Sequence, residues 1–529
     1  MARNALLGLK RVFFDRIFER SYWTWRKHPA VMIPTLLGAG LSIIEQSIVV
    51  LAVMSLLSGW ALQGSLSTFL TEYRINGLLS LFQDPNYSLW LLVGVTIIVP
   101  SLIIVAILGG GFVYSSEYGT YVEAWNSPGV PVGSVLANGS RKWSAMAWTV
   151  FLSNLITWGP AALGYGLILI SILNANNSGS IIGVLISASL LQPLIYVSLI
   201  LSIFTVYSIP AVMVEGVSGP TAIRRSFAIA GHNLGLTLTY CVVRMIIYIP
   251  TLLVRLPGFS SPLGIPLTSL VTVVMSFALF PVLHMTKTMI FYYSGPSVPE
   301  MPFQPPSPIW NDVFRRLPRA AWAKISLGLA ETARFLLSAR NVPFHIASAI
   351  AFVFGILLGN FVSNNGVASY LLALGYQPGH GNSLLNQVIQ PALGVDIFLN
   401  NWYVSIGTAL AGLGFGVPSF ITILFNGFIL GVLDVPALSP SLTMFLAAIL
   451  PHGIIEIPSF VLSGSVGLKL GYAAWKARFK QGPDSMEYLS KTFRSAVYIV
   501  VGLAPLFLIA GLIEADITPI IMRMFGWTF

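Results

Sequence analysis

Pro451-His452-Gly453-Ile454-Ile455-Glu456-Ile457-Pro458 places a histidine and a glutamate four residues apart inside a run otherwise suited to lipid. On a helix, residues i and i+4 share a face, so the two side chains form one site. An ionisable residue at membrane depth costs about 2.5–3.5 kcal/mol even on lenient insertion scales, so it persists there with a partner, a water-filled cavity or a function. Asn426 is expected on the neighbouring helix, which makes His452, Glu456 and Asn426 the intramembrane polar cluster. Pro451, Gly453 and Pro458 disturb the helix around it, and broken helices at membrane depth line cavities. Two roles compete: a hydrogen-bonded pair that fixes packing, and a lining for the path of an ion, lipid or small molecule.

Catalysis is not expected from these residues. A zinc centre needs at least three protein ligands, and no second HxxxE, HExxH or cysteine pair exists. His380 reaches the pair only if its loop, Gln377-Pro378-Gly379-His380-Gly381, folds inward, so neither a metal nor another cofactor is expected. Gly464-Ser465-Val466-Gly467 lacks nucleophile-elbow spacing. There is no Walker A sequence and no GxGxxG followed by an acidic residue. An intramembrane hydrolase is therefore the least supported reading. The lone cysteine, Cys241, excludes an intrachain disulfide.

Other charges also fall in apolar runs. Glu45, beside Gln46, and Arg244 lie mid-span and are expected to form an intramembrane ion pair that locks two helices; the alternative is that Arg244 meets an anionic headgroup or substrate. His284 and Lys287 lie a turn apart near a span end, where lysine can snorkel, and carry little weight as a site.

The elements that position these groups follow from composition. Hydrophobic residues make up 55%, charged residues 9%, and mean hydropathy is +0.81, which marks an all-α polytopic membrane protein and leaves no room for a large soluble catalytic domain. Apolar runs near 30–60, 89–115, 146–174, 181–213, 235–256, 266–293, 344–363, 401–416, 418–433, 439–472 and 494–514 predict about eleven transmembrane helices in two bundles. Gly412, Gly414, Gly416 and Pro418 supply a turn that divides the 401–433 run. The other glycines of this half point to close helix packing.

Of the 28 basic residues, 23 fall on the side that holds the N-terminus, so the net charge of +10 is a topology signal: N-terminus cytoplasmic, C-terminus outside, in the cell membrane, with no nucleic-acid partner. Asn86 and Asn176 begin sequons in predicted outer loops, but Asn138 begins one in an inner loop, so sequons do not decide the topology.

Four segments result. Residues 1–28 mix Phe13, Phe14, Ile17, Trp23 and Trp25 with Lys10, Arg11, Arg16, Arg20, Arg26 and Lys27, the pattern of an interfacial helix on anionic headgroups rather than a cleavable signal. Residues 29–295 form a six-helix membrane domain, and 296–343 a Pro-rich, basic, amphipathic cytoplasmic linker. Residues 344–529 form a five-helix membrane domain. No duplication relates the two bundles.

From Phe344 to about Pro519 the chain resembles the stage II sporulation protein M family. The resemblance rests on Asn401, Gly412-Leu413-Gly414 with Pro418, Phe425-Asn426-Gly427 with Gly431, Leu450 to Pro458, Gly464 with Gly467, and Ile513-Glu514-Ala515. It implies a five-helix membrane domain and, in spore formers, an assembly platform for wall-remodelling hydrolases. Residues 20–295 resemble the helical membrane domains that accompany glycerophosphodiester phosphodiesterases, through Arg26-Lys27-His28-Pro29, Glu215-Gly216 and Gly219 to Ser226. The catalytic barrel of those enzymes is absent here, so this second resemblance implies a fold class only.

The expectation is a non-enzymatic membrane scaffold or transport-related subunit, with envelope-protein partners and possible self-association. The alternative is a translocator that uses the same intramembrane polar residues.

Overall fold

The computed structural model describes residues 11–66, 94–173, 178–253, 271, 274–294, 306–368, 391–434, 441–480 and 482–526. Among these residues every regular element is a helix. Six helices are long and apolar enough to cross a membrane: Pro29–Leu62, Thr96–Asn126, Gly183–Val214, Ala339–Val367, Leu442–Phe479 and Asp484–Met524. Pro220–His232 with Leu234–Ile249 is a seventh candidate, bent by 101° at its break, and Val417–Leu433 is apolar but shorter. Among the described residues, six or seven spans by length and hydropathy are found, so the expected count of eleven is not reached there. One reason is visible in the helix Pro391–Leu410, which carries Asp396, Asn400 and Asn401. The starts of the spans expected at 89 and 266, the sequon asparagines Asn86 and Asn176, His380 and the linker prolines from Pro296 to Pro305 lie outside the described residues.

By internal contacts the chain forms two compact units. The first comprises Met1–Thr35, Ile107–Leu252 and Val274–Trp310, and the second Leu36–Ala106, Leu253–Val273 and Asn311–Phe529. The stretch Leu36–Ala106 thus clusters with the second unit, although it lies within the 29–295 segment.

The first unit is built on a core that includes Phe13, Ile17, Met146, Tyr207, Tyr240, Leu283, Ile290 and Phe291. Phe13 and Ile17 are spaced one helical turn apart, and their stripe continues through Ser21 and Trp25. The sequence sends this stripe to a lipid surface, but the structure buries it in protein: Phe13 is 0% and Trp25 3% exposed. The helix Phe280–Tyr293 and the turn before it supply the partners. Trp25 Nε1 donates to the Phe277 carbonyl at 3.2 Å, and Arg20 bonds the Tyr293 hydroxyl. Helices Trp143–Leu173 and Ser178–Thr205 are stitched by hydroxyls, including Thr157 to Thr205 at 2.8 Å.

In the second unit we number the helices α1 (Ile33–Leu62, from Leu36 onward), α2 (Leu317–Leu337), α3 (Val342–Val362), α4 (Pro391–Leu410), α5 (Val417–Leu433), α6 (Leu442–Phe479), α7 (Pro483–Leu512) and α8 (Thr518–Met524). The tightest pair is α3 and α5. A Cβ on Gly355 or Gly359 would stand 2.0 Å from the carbonyl oxygen of Leu424 or Phe428, and one on Gly427 or Gly431 would stand 2.0 Å from that of Phe352 or Ile356. Only glycine permits this approach, the GxxxG solution to packing where lipid removes the hydrophobic drive between helices. Contact positions rise together along both helices, so α3 and α5 run parallel.

Between α4 and α5 the chain turns at Phe415 (φ +58°) and Gly416 (φ +81°), where the glycine-rich stretch predicts a break. The basic ends of the unit gather by this turn: Gly471 of α6 lies against Gly416, and Lys469 Nζ donates to Asn341 Oδ1 at 2.9 Å. The N-terminal end of α3, the α4–α5 turn and the α6–α7 hairpin therefore share one face of the unit.

α2 crosses α7 at Gly328 and Gly502, and Phe335 is buried. Its other side, with the helical turn Asp312–Arg316 before it, leaves Phe314, Trp322, Leu336 and Leu337 exposed beside Arg315, Arg316, Arg319 and Lys324.

Candidate functional site

α6 starts at the cap Ser441, whose hydroxyl accepts the Met444 N–H at 3.2 Å, and runs on through Pro451 and Pro458. Proline has no N–H, so the carbonyls four residues earlier lose their usual partners while the helix persists through its neighbours. His452 and Glu456 lie on this stretch and are half-buried. Other helices meet each of them. From α4, Asn401 Nδ2 donates to Glu456 Oε1 at 2.9 Å. His452 Nδ1 lies 3.2 Å from Thr518 Oγ1 at the start of α8. His452 Nε2 lies 4.0 Å from Oε2 of Glu514, between α7 and α8. One ligand atom each from His452, Glu456 and Glu514 falls within 4.8 Å of the others.

The expected third member, Asn426, is not the amide that holds Glu456. Asn426 Nδ2 donates to the Thr422 carbonyl of its own helix at 2.8 Å, and the amide on Glu456 is that of Asn401. The assembled group is thus His452, Glu456, Asn401, Glu514 and Thr518. Asn401 and Glu514 are both among the residues that carry the family resemblance, but 55 residues separate Asn401 from Glu456, and no spacing rule joins them.

The axial position follows from helix rise. His452 precedes Lys469 by 17 residues on one continuous helix, about 25 Å at 1.5 Å per residue. Glu514 follows Arg494 by 20 residues, about 30 Å, close to the thickness of a hydrocarbon core. The cluster therefore lies toward the face opposite the basic hairpin.

Glu45 is half-buried on α1 of the second unit, and Arg244 belongs to the first unit, where its guanidinium carbon lies 5.9 Å from the Tyr248 ring centroid.

The first unit also holds a polar network that sequence reading passed over. Glu117 Oε1 accepts the Tyr121 hydroxyl at 2.6 Å and His284 Nδ1 at 2.6 Å. Lys287 is 7% exposed, and its Nζ stands 5.1 Å from the Tyr118 ring centroid. The missed signal was the pairing of Glu117 with Tyr121 at i and i+4.

The chain matches the stage II sporulation protein M family over residues 348–519. Two similar proteins come from Methanocaldococcus jannaschii, and both are uncharacterized. One is 33% identical over 131 residues, covering 23% of this chain and 69% of the relative. The other is 28% identical over 126 residues, covering 23% of this chain and 56% of the relative. No solved structure matches the chain. The matched region contains α4 to α7, Glu514 and Thr518, and through it the chain belongs to the stage II sporulation protein M family.

Proposed function

We propose that this protein is a scaffold, or the membrane subunit of a transport assembly, and is not itself an enzyme. The supporting observation is the α3–α5 lock, in which four glycines hold two helices at backbone contact. Such a pair cannot slide, because a shift of either helix drives side chains into carbonyl oxygens. A rigid frame suits a platform that positions other proteins better than a carrier whose helices must rock.

The proposed setting is the cell membrane, with the N-terminus cytoplasmic, as the distribution of Lys and Arg supports. The exposed aromatic and cationic side of α2 suits anionic headgroups there, and partners in the membrane or envelope, including a second copy of the chain, are the expected clients.

A translocator is the second reading, favoured by the convergence of His452, Glu456 and Glu514 within the membrane-spanning part of the unit. Affinity purification from native membranes, paired with flux in liposomes, separates the two. Envelope proteins retained by the wild type and lost from Gly359→Leu support the scaffold. A chain that purifies alone and carries a solute flux abolished in His452→Ala/Glu456→Gln would overturn it in favour of translocation.

A further inference from the structure

We propose that His452, Glu456 and Glu514 bind one divalent transition-metal ion, zinc by the chemistry of the donors. This site is independent of whether the protein acts as a scaffold.

The first argument is convergence. Three candidate ligands from two distant stretches of chain place ligand atoms within 4.8 Å of one another. Tetrahedral zinc with bonds of about 2.0–2.1 Å sets its ligand atoms about 3.4 Å apart. The 4.0 Å between His452 Nε2 and Glu514 Oε2 needs to close by about 0.6 Å, and separations of up to 4.8 Å within the group by at most about 1.4 Å, within the reach of side-chain rotation.

The second argument is the tautomer of His452. Thr518 Oγ1 lies 3.1 Å from the Ile513 carbonyl oxygen, which can only accept, and we assign the hydroxyl proton to that bond. On that assignment it accepts from His452 Nδ1–H, which leaves Nε2 as the unprotonated nitrogen, 4.0 Å from a Glu514 carboxylate oxygen. An unprotonated ring nitrogen near a carboxylate oxygen gains nothing from it until a cation stands between them. A neutral imidazole held by its other nitrogen is the usual state of a metal-ligating histidine.

The third argument is an orphaned oxygen. Asn401 engages Glu456 Oε1, whereas Glu456 Oε2 is buried and has no hydrogen-bond partner among the described residues. A buried carboxylate oxygen without a donor is costly in a low-dielectric setting, and a metal ion satisfies it. Asn401 and Thr518 thus serve as orienting groups behind two of the ligands.

The donor set selects the metal. One imidazole nitrogen and two carboxylate oxygens, without thiolate or thioether, disfavour copper(I) and suit zinc, iron(II) or manganese(II); zinc is held most tightly of these three. Three protein ligands leave a fourth position for water or another ligand. The Glu514 side chain is 34% exposed, so it is not closed off by protein.

The test uses the full chain in detergent micelles, stripped with a chelator and then titrated with Zn²⁺ and with Co²⁺ as a spectroscopic probe. The wild type is expected to retain one zinc per chain by elemental analysis and to give the visible bands of four-coordinate Co²⁺. Glu514→Gln, partly exposed and nearly isosteric, is expected to keep the wild-type elution profile and melting temperature while binding zinc at least tenfold more weakly. Asn401→Ala should weaken binding about 10–100-fold without removing a ligand. A wild type that holds no more zinc than the His452→Gln/Glu456→Gln/Glu514→Gln variant, or that leaves Co²⁺ six-coordinate, overturns the proposal. The Co²⁺ spectrum is read from the wild type alone, so it decides even where a variant fails to fold.

Discussion

His452 and Glu514, 62 residues apart in the chain, face each other with Nε2 and Oε2 4.0 Å apart while Thr518 holds the opposite side of the imidazole. The threonine hydroxyl thus decides which ring nitrogen is free. Replacing Thr518 with Val removes the acceptor at Nδ1 and should release the single tautomer, at a stability cost of about 0.5–1.5 kcal/mol. Nitrogen NMR of labelled histidine reads the tautomer directly. An unchanged His452 signal in Thr518→Val would show that the hydroxyl does not set it.

The α3–α5 lock makes a sharper stability prediction. Gly359→Leu puts a side chain where a bare Cβ already meets the Phe428 carbonyl oxygen at 2.0 Å, and is expected to cost at least about 1–3 kcal/mol. Gly38→Ala on α1 is the control, since a Cβ there meets nothing within 4 Å. Thermal unfolding in detergent should separate the two, and equal melting temperatures would refute the lock.

Glu117 is the anchor of the first unit's polar network. Its side chain is 12% exposed, so Glu117→Ala strands His284 and Tyr121 and is expected to destabilise by about 3–5 kcal/mol. A double-mutant cycle with His284→Ala should return a coupling energy well above zero, and additive losses would contradict the pairing.

His28 supplies a pH dependence outside the spans. Burial, and secondarily the charge of Lys27, lowers its pKa, and the residue is 3% exposed. The unfolded chain then binds a proton more readily than the folded one. Stability should be full above the ordinary histidine value of about 6.5 and should fall as pH drops below it. Unfolding followed from pH 8 to pH 5 should show this decline in the wild type and a shallower one in His28→Gln. Parallel profiles would remove His28 as the cause.

How far the sequence could be read depended on the range of each interaction. Gly412 to Pro418 announced the turn between α4 and α5 because left-handed backbone is a local property of glycine-rich stretches. His452 and Glu456 could be found because i,i+4 spacing is also local. Their partners could not: Asn401 and Glu514 arrive through helix packing, whereas Asn426, adjacent by inference, turns to its own backbone. The stripe through Phe13, Ile17 and Trp25 misled for a related reason. An apolar face reads the same whether lipid or another helix covers it, and here the Phe280–Tyr293 helix does so.

The parallel run of α3 and α5 has a consequence for biogenesis. Gly355 is synthesised 69 residues before Leu424, the residue it must meet, and α4 has to cross back in between. At about 5–20 residues per second the glycine face of α3 waits about 3–14 s in the bilayer without its mate. During that interval its close-packing face stands without the helix that fits it. Chains stopped before Gly427 should therefore pair through Gly355 and Gly359 with one another, and the speed of translation through α4 becomes part of how this membrane domain assembles correctly.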